Sequence, residues 1–406
     1  MQISYIIVTR NRRETLLRTL EHLRANTPLP EGKWEVWVVD NASTDGTAEA
    51  LRSQVPWVRL IERPGNEGVG ARSHAFPRAA GRYVFLLDDD SYPVGDTVTR
   101  SMAHLSANPQ VGSLTGRVIL PGGQEEACAL PGVLISCATC LPRSVIRRVG
   151  PFRPEFFRKA GEYDYSFRIW RAGYRVERCE AAVYRHDKVM TGRSVALSHR
   201  MDLRNNLILA HRFLPQPLRG AYTADWSIRY RALARHAGVP RAARRARVEA
   251  ALWGWRERMV GRELLEPEHI ESIFQLNRQA ELIRQWAVTH AVRRAVIAGF
   301  SKNLYATWRG CREAGVAVSA LADDHEAYQG MSYRGVPVRP TVEAIAEGPD
   351  GVILSNINPA QIDRAESAIR VHCQRPILRL WTPGKTEAGP SESGSSESGG
   401  HLSAVA

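Results

Sequence analysis

The first 90 residues alternate short apolar runs with segments of helical period, and each apolar run ends in a polar loop. Residues 4–8, 34–39, 58–61 and 83–87 read as strands. Residues 12–25, 47–54 and 69–80 read as helices, the first with Leu16, Leu17, Leu20 and Leu23 on one face. Pro77 is expected to kink or end the third helix. Strands and helices that alternate through short links build a parallel sheet covered on both faces. Open sheets of this class bind ligands outside the carboxyl ends of their strands. The loops that follow the strands are therefore where chemistry is to be sought.

The fourth strand carries the strongest such signal. Tyr83-Val84-Phe85-Leu86-Leu87 runs directly into Asp88-Asp89-Asp90. Charges are costly to bury unless paired, so the acids belong at the solvent end of the strand. Adjacent carboxylates repel unless a positive group sits among them. A hard divalent cation, Mg²⁺ or Mn²⁺, would supply that charge and bridge to a substrate's phosphates. A solvated acidic turn is the competing reading of the run taken alone.

The other strand ends add polar and basic groups. Thr9-Arg10-Asn11-Arg12 follows the first strand. Asp40-Asn41-Ala42-Ser43 follows the second, with Asp40 placed to accept from a nucleobase N–H, and Ser43 or Thr44 suited to cap the next helix. Arg63 to Arg72 follows the third. There the glycines let backbone amides approach a ligand, the N-terminus of the next helix favours anions, and Arg63 and Arg72 add charge.

Beyond residue 90 the pattern loosens. Helices are expected near 98–106, 144–149 and 162–172, and strands near 113–120, 174–178 and 182–184. Residues 195–290 look mainly helical and rich in arginine, and a βα pattern restarts at 292. The chain has 406 residues and a formal net charge of +13, a balance that favours anionic partners such as nucleotides, nucleic acid or a phospholipid surface. Arg241, Arg244, Arg245 and Arg247 precede Ala250-Ala251-Leu252-Trp253, a pattern open to membrane-surface contact or to a plain solvated face. Six cysteines are too few for a disulfide framework at this length, and small buried thiols are expected, including the Cys137-Ala-Thr-Cys140 pair. With no basic leader and no spanning apolar run, the expected location is cytoplasmic, with peripheral contact at the inner face of the membrane as an option.

Taken in order, these loops resemble glycosyltransferase family 2, the inverting transferases of GT-A fold, and are closest in feel to its rhamnosyltransferase-like members. Val8-Thr9-Arg10-Asn11-Arg12, Val39 through Thr47, Asn66-Glu67-Gly68, and Asp88 with Asp90 carry the resemblance over roughly residues 1–210. It implies an α/β fold with a GT-A domain at 1–210; the pattern beyond it gives a helical region at 211–290, a smaller Rossmann-like domain at 291–383 and a Ser/Gly/Glu-rich tail at 384–406 expected to be disordered. It implies a nucleotide-diphosphate sugar held by Thr9, Asn11, Arg12, Asp40, Asn41, Ser43, Arg63, Asn66, Gly68, Arg72, Asp88 and Asp89, and a metal, Mg²⁺ or Mn²⁺, on Asp88, Asp90 and His186. Asp90 is the expected direct ligand.

The family's catalytic acids fall at Glu162-Tyr163-Asp164. Glu162 takes the position of the base, Asp164 is the alternative, and Gly161 stands where a first acid is usual. An unperturbed Glu ionises near pH 4.3 and so can accept a proton at neutrality. Arg204-Asn205-Asn206 resembles a further pair common among relatives. The C-terminal segment resembles a Rossmann-like domain of sugar-modifying proteins. After Gly299, however, come Phe300-Ser301-Lys302-Asn303-Leu304, without the later glycines that a bound dinucleotide requires. The expected reaction is transfer of a sugar to a hydroxyl of a glycan, lipid-linked or natural-product acceptor, with no nucleic-acid partner. The alternatives are a non-catalytic sugar-nucleotide-binding module on the same scaffold and a basic nucleic-acid-binding protein.

Overall fold

A computed structural model describes residues 1–188, 194–357 and 359–381. The tail expected at 384–406 lies outside the described residues. The strand-helix alternation is present as β1 (Ile3–Thr9), α1 (Arg13–Asn26), β2 (Trp34–Asp40), α2 (Thr47–Gln54), β3 (Arg59–Glu62) and β4 (Tyr83–Asp88). These strands lie in the order β3-β2-β1-β4, all parallel. Thr9 pairs with Asp40, and Val8 with Asp88, so three strand ends finish level at one edge. Ile3, Tyr5, Ile6, Ile7, Val36, Val38, Phe85 and Leu86 are fully buried, as a sheet covered on both faces requires.

One expected helix takes a different form. Residues Gly68–Ala75 make a 3₁₀ helix in place of the α-helix read over 69–80. Gly68 and Gly70 weaken an α-helix, and the Pro77 ring would clash with the carbonyl of Ser73. That carbonyl instead accepts from Phe76 N–H at 3.2 Å, a bond of three-residue span.

The sheet then continues through β5 (Ser91–Val94), α3 (Thr97–Ala107), β6 (Val111–Ile119), β7 (Glu125–Glu126), β8 (Thr139–Pro142), α4 (Arg143–Val149), α5 (Gly161–Arg171) and β9 (Arg175–His186). The strand order runs on from β4 as β8-β6-β9-β5, with β7 on β6. β9 is one strand where two short ones were expected. It is interrupted where its register to β6 jumps from Gly116↔Cys179 to Arg117↔Val183. β5 was not foreseen, because Pro93 marks against a strand; it lies at the sheet edge, where proline is tolerated. Its pairing of Ser91 with His186 brings His186 to the end of the acid run.

The helical region comprises α6 (Val195–Phe213), α7 (Leu218–His236), α8 (Pro240–Val260), α9 (Pro267–Phe274) and α10 (Leu276–Thr289). A second α/β layer follows: β10 (Arg294–Ala298), α11 (Leu304–Glu313), β11 (Ala317–Ala322), β12 (Ser332–Tyr333), β13 (Val336–Arg339), α12 (Thr341–Ala346), β14 (Gly351–Leu354), α13 (Pro359–Arg370) and β15 (Ile377–Arg379). Its order is β12-β13-β11-β10-β14-β15, parallel except for β12.

The two sheets share one core. A single apolar cluster runs from Ile6 and Leu86 through Phe167, Phe213, Trp226 and Phe274 to Ile297 and Ile353. α7 ties the second sheet in with buried polar bonds. Tyr222 Oη donates to Asn303 Oδ1 at 2.5 Å, Trp226 Nε1 to the Lys302 carbonyl at 2.9 Å, and Tyr333 Oη to Asp225 at 2.6 Å. The loop after β10 is thereby pressed toward the first sheet.

Candidate active site

The three acids at the end of β4 point different ways. Asp88 keeps 35% of its side-chain surface, whereas Asp90 keeps 2%. Asp88 Oδ1 accepts from Arg72 Nη2 at 2.9 Å. Asp89 accepts from Thr9 Oγ1 at 2.8 Å and from Arg12 Nη1 at 2.9 Å. Asp90 Oδ2 accepts from the same Arg12 nitrogen at 3.0 Å, and its Oδ1 lies 3.1 Å from His186 Nε2. Burial pushes Asp89 up to about 6, with Arg12 opposing. Burial also works against charge on His186, but hydrogen bonds to Asp90, Cys137 and Glu126 outweigh it and hold the ring protonated. Glu126 is held down to about 2: burial opposes its charge, and bonds from His186 and Lys188 overcome that. Arg12, Arg72 and the imidazolium thus supply positive charge that the sequence reading assigned to a metal alone.

Arg72 is fully buried and also donates to the carbonyls of Val69 and Ser136. It was expected to meet the donor; its place is beneath Asp88, which it aims. Arg63 likewise turns onto Glu67 at 2.7 Å.

The strand-end loops are laced together by the predicted residues. Asp40 Oδ1 accepts from Ser43 N–H, and Ser43 Oγ from Asn11 N–H. Asn11 Oδ1 accepts from Thr44 N–H at 2.7 Å. Asn41 Nδ2 donates to Asn66 Oδ1 and to the Gly68 carbonyl, both at 3.0 Å. Asp40 is buried and holds its own turn, so an open face toward a nucleobase is not what the fold gives it. Gly68 sits at φ +67°, and a Cβ there would lie 1.9 Å from the Phe157 carbonyl oxygen. Its need for glycine comes from packing on that loop.

These loops border a cleft of about 530 Å³. Thr9, Asn11, Arg12, Asn41, Asn66, Gly68, Asp88 and Asp89 line it, joined by Arg10, Phe157 and Arg158, which the sequence reading did not select. The far wall is set by α6. Arg204 donates to the Glu155 carbonyl at 2.8 Å, and Asn205 to those of Arg158 and Lys159 at 2.8 and 2.9 Å. That is the work of the Arg204-Asn205 pair. It holds Lys159 and Ala160 at φ 67° and 59°, a left-handed conformation that side chains disfavour and that is paid for elsewhere in the fold.

Glu162 follows one residue further on, after Gly161, in the first turn of α5. Burial raises its pKa, with Lys302 and Lys159 opposing. Lys302 comes from the loop after β10, in the second sheet. Its Nζ sits 3.4 Å from the centroid of the Tyr163 ring and 5.2 Å from that of Trp226. Burial pushes it down to about 7, against the pull of Glu162, Cys128 and Asp202. Cys128 joins this group to the acid cluster. Burial raises its thiol first, and Glu162 on one side and Cys137 and Glu126 on the other add to that. Asp164, the alternative base, is 1% exposed and enclosed by Arg153, Arg168 and Arg212 at 3.1, 2.9 and 3.3 Å. It anchors α5 and offers no lone pair to a substrate.

A metal can be accommodated beside Asp88. Its carboxylate, Cys137 Sγ and a ring nitrogen of His186 come within 4.8 Å of one another. Carboxylate with imidazole suits Mn²⁺ better than Mg²⁺, which prefers an all-oxygen octahedron. Burial pushes the Cys137 thiol up to about 11, which leaves it protonated near neutrality, so Asp88 is the donor that fits as the side chains stand, and His186 would join it only by giving up the proton it shares with Asp90 and Glu126. Asp90, expected as the direct ligand, is turned onto Arg12 and His186. The sequence shows Cys137 only as a buried thiol of the Cys137-Ala-Thr-Cys140 pair, and Lys302 only as part of the run after Gly299 that lacks the later glycines; tertiary contact alone brings the one to His186 and the other to Tyr163.

Residues 4–126 match the family model described as glycosyl transferase family 2. The chain is 27% identical to the glycosyltransferase AglE of Haloferax volcanii over 192 residues, 42% of this chain and 62% of that protein. It is 32% identical over 87 residues to TuaG of Bacillus subtilis, a protein named for teichuronic acid biosynthesis, over 20% of this chain and 34% of that one. It therefore spans less than two thirds of the length of either curated relative. Among solved structures, TarS 1–349 of S. aureus aligns at TM-score 0.47 and 15% identity, over 83% of this chain and 98% of that one. The mannosyltransferase PcManGT of Pyrobaculum calidifontis, solved with GDP-Man and Mn²⁺, aligns at 0.43 and 18%, over 77% and 85%. The family match covers β1 through β7, the strands whose end loops supply most of the cleft, and over that portion the chain is similar to glycosyl transferase family 2.

Proposed function

We propose that this protein transfers a sugar from a nucleoside-diphosphate donor to an acceptor hydroxyl, with inversion at the anomeric carbon. The observation that carries this reading is the cleft at the strand ends, lined by Thr9, Asn11, Asn41, Asn66 and Asp88, with Glu162 four residues beyond Arg158 of its wall, its pKa raised by burial and opposed by the charge of Lys302. The donor lies along the loops after β1, β2 and β4, with Thr9, Asn11, Asn41 and Asn66 offering hydrogen bonds and Arg10 and Arg158 facing the diphosphate. A divalent ion held by Asp88, and by His186 once that ring has given up its proton, would offset charge on the departing nucleotide.

Glu162 removes the proton from the acceptor hydroxyl. The hydroxyl oxygen bonds to the anomeric carbon from the face opposite the diphosphate. The carbon–oxygen bond to phosphate breaks, and its electron pair leaves with the nucleotide. A base whose pKa lies nearer the working pH than an ordinary carboxylate's transfers protons more efficiently. Lys302 favours the ionised form of Glu162, and its own ammonium lies over the Tyr163 and Trp226 rings.

A panel of UDP-, GDP- and dTDP-sugars, assayed for nucleotide release with a hydroxyl acceptor, tests the reading. Turnover with one donor, abolished by chelation and restored better by Mn²⁺ than by Mg²⁺, is expected. Binding of the donor should also raise the unfolding temperature. Failure of every donor either to bind or to turn over would overturn it.

A further inference from the structure

α8 buries one face and leaves the other open. Ala243, Ala246, Ala250 and Gly254 pack inward, Gly254 close enough to α6 that a Cβ would lie 3.0 Å from the His211 ring. On the outer side Val248, Leu252, Trp255 and Met259 are 59–69% exposed. At 100° per residue these four fall within an arc of roughly 60°. Large apolar side chains aligned and exposed in this way mark a docking surface and not scattered surface residues.

The charges around the stripe have one sign. Arg247 and Arg258 run along one edge and Arg245 and Arg256 along the other, while Arg241 and Arg244 continue it toward the helix start. Of the two acids of α8, Glu257 is buried on the opposite face against Arg212 at 2.7 Å, and Glu249, beside the Arg245 edge, is neutralised by Arg200 and Arg245. Among the described residues, Arg241, Arg244, Arg247 and Arg258 make no ion pair. Beside them Arg219 and Arg262 crowd Arg258, and the pKa of His211 is lowered by burial and then by these three cations. Such a surface calls for an anionic partner with an apolar layer beneath its charge.

We propose that the exposed face of α8 docks the protein on an anionic phospholipid membrane, with Val248, Leu252, Trp255 and Met259 entering the interface and the flanking arginines meeting headgroup phosphates. Basic amphipathic helices lie in the interfacial plane in this way. Among the described residues no helix is long and apolar enough to cross a membrane, so contact through α8 is made from one side. The position suits the site: Leu252 shares a groove of about 360 Å³ with Phe157, which also lines the donor cleft. Docking would hold that edge of the cleft near the lipid surface.

Co-sedimentation of the full chain with vesicles tests this. Binding to vesicles of phosphatidylcholine and phosphatidylglycerol, but not of phosphatidylcholine alone, is expected, and it should weaken in high salt. Arg244→Ala with Arg247→Ala should lower the partition constant about thirtyfold, at about one kcal/mol for each basic residue. Leu252→Glu with Trp255→Glu should abolish binding, with donor binding unchanged as the check on folding. Absence of wild-type binding to the anionic vesicles, or equal binding by both variants, would overturn the proposal. So would a wild-type dimer that Leu252→Glu with Trp255→Glu dissociates without any vesicle binding, since a second copy would then cover the face.

Discussion

Glu162 can ionise only against the cost of its burial, and Lys302 offsets part of that cost. The sign of the consequence is fixed. Lys302 favours the carboxylate, so Lys302→Met raises the pKa of Glu162 further, and the acidic limb of kcat/KM moves to higher pH. Lys302→Arg should keep the limb near its wild-type place. A pH–rate profile for each variant decides; lower activity with an unmoved limb would make Lys302 a packing residue only. Lys302 has its own signature in stability. Its folded pKa of about 7 lies below the unfolded value near 10.4, so the unfolded chain binds more protons between the two. Wild-type stability should therefore rise across that window relative to Lys302→Met, read by urea unfolding at several pH values. Asp88, Glu162 and His186 could be singled out in the sequence because each sits at a fixed place in an ordered set of loops, and their proposed roles rest on that order. Lys302 and Cys137 could not, since a lysine after Gly299 means nothing until α7 pulls its loop against Tyr163.

Elements were legible where their period was strong. β1 through β4 and α1 formed where alternation and leucine spacing placed them. The 3₁₀ helix at Gly68–Ala75, edge strand β5 and interrupted strand β9 departed, each through glycine, proline or a register jump that only pairing resolves. Gly68→Ala tests how tightly one such element holds the cleft. Its Cβ has no room beside Phe157 and its backbone is left-handed, so a loss of about 1–3 kcal/mol is expected in urea unfolding, together with weaker donor binding. Arg212→Met tests the anchor of α5. Glu257 takes both of its hydrogen bonds from Arg212, so the change strands a buried carboxylate, at a cost of about 3–5 kcal/mol. Calorimetry reads that loss. A variant as stable as the wild type would show that α5 stands without the arginine network.

At the scale of the molecule the sequence suggested three regions in series, and the structure knits them into one core from Ile6 to Ile353. Nothing in a linear pattern foretells that α7 would bury Tyr222 and Trp226 against a loop of the second sheet. A continuous core predicts one cooperative unfolding transition, with calorimetric and van't Hoff enthalpies in agreement. Two resolved transitions would contradict it. The net charge of +13, ambiguous in the sequence, acquires a location on α8 and its neighbours.

The most direct test of the central claim is the anomeric configuration of the product, followed by NMR in wild type and in Glu162→Gln. Inversion in the wild type is expected, with kcat in the variant lower by about 10² to 10⁴ and donor binding retained. Retention of configuration, or wild-type turnover by Glu162→Gln, would contradict the account.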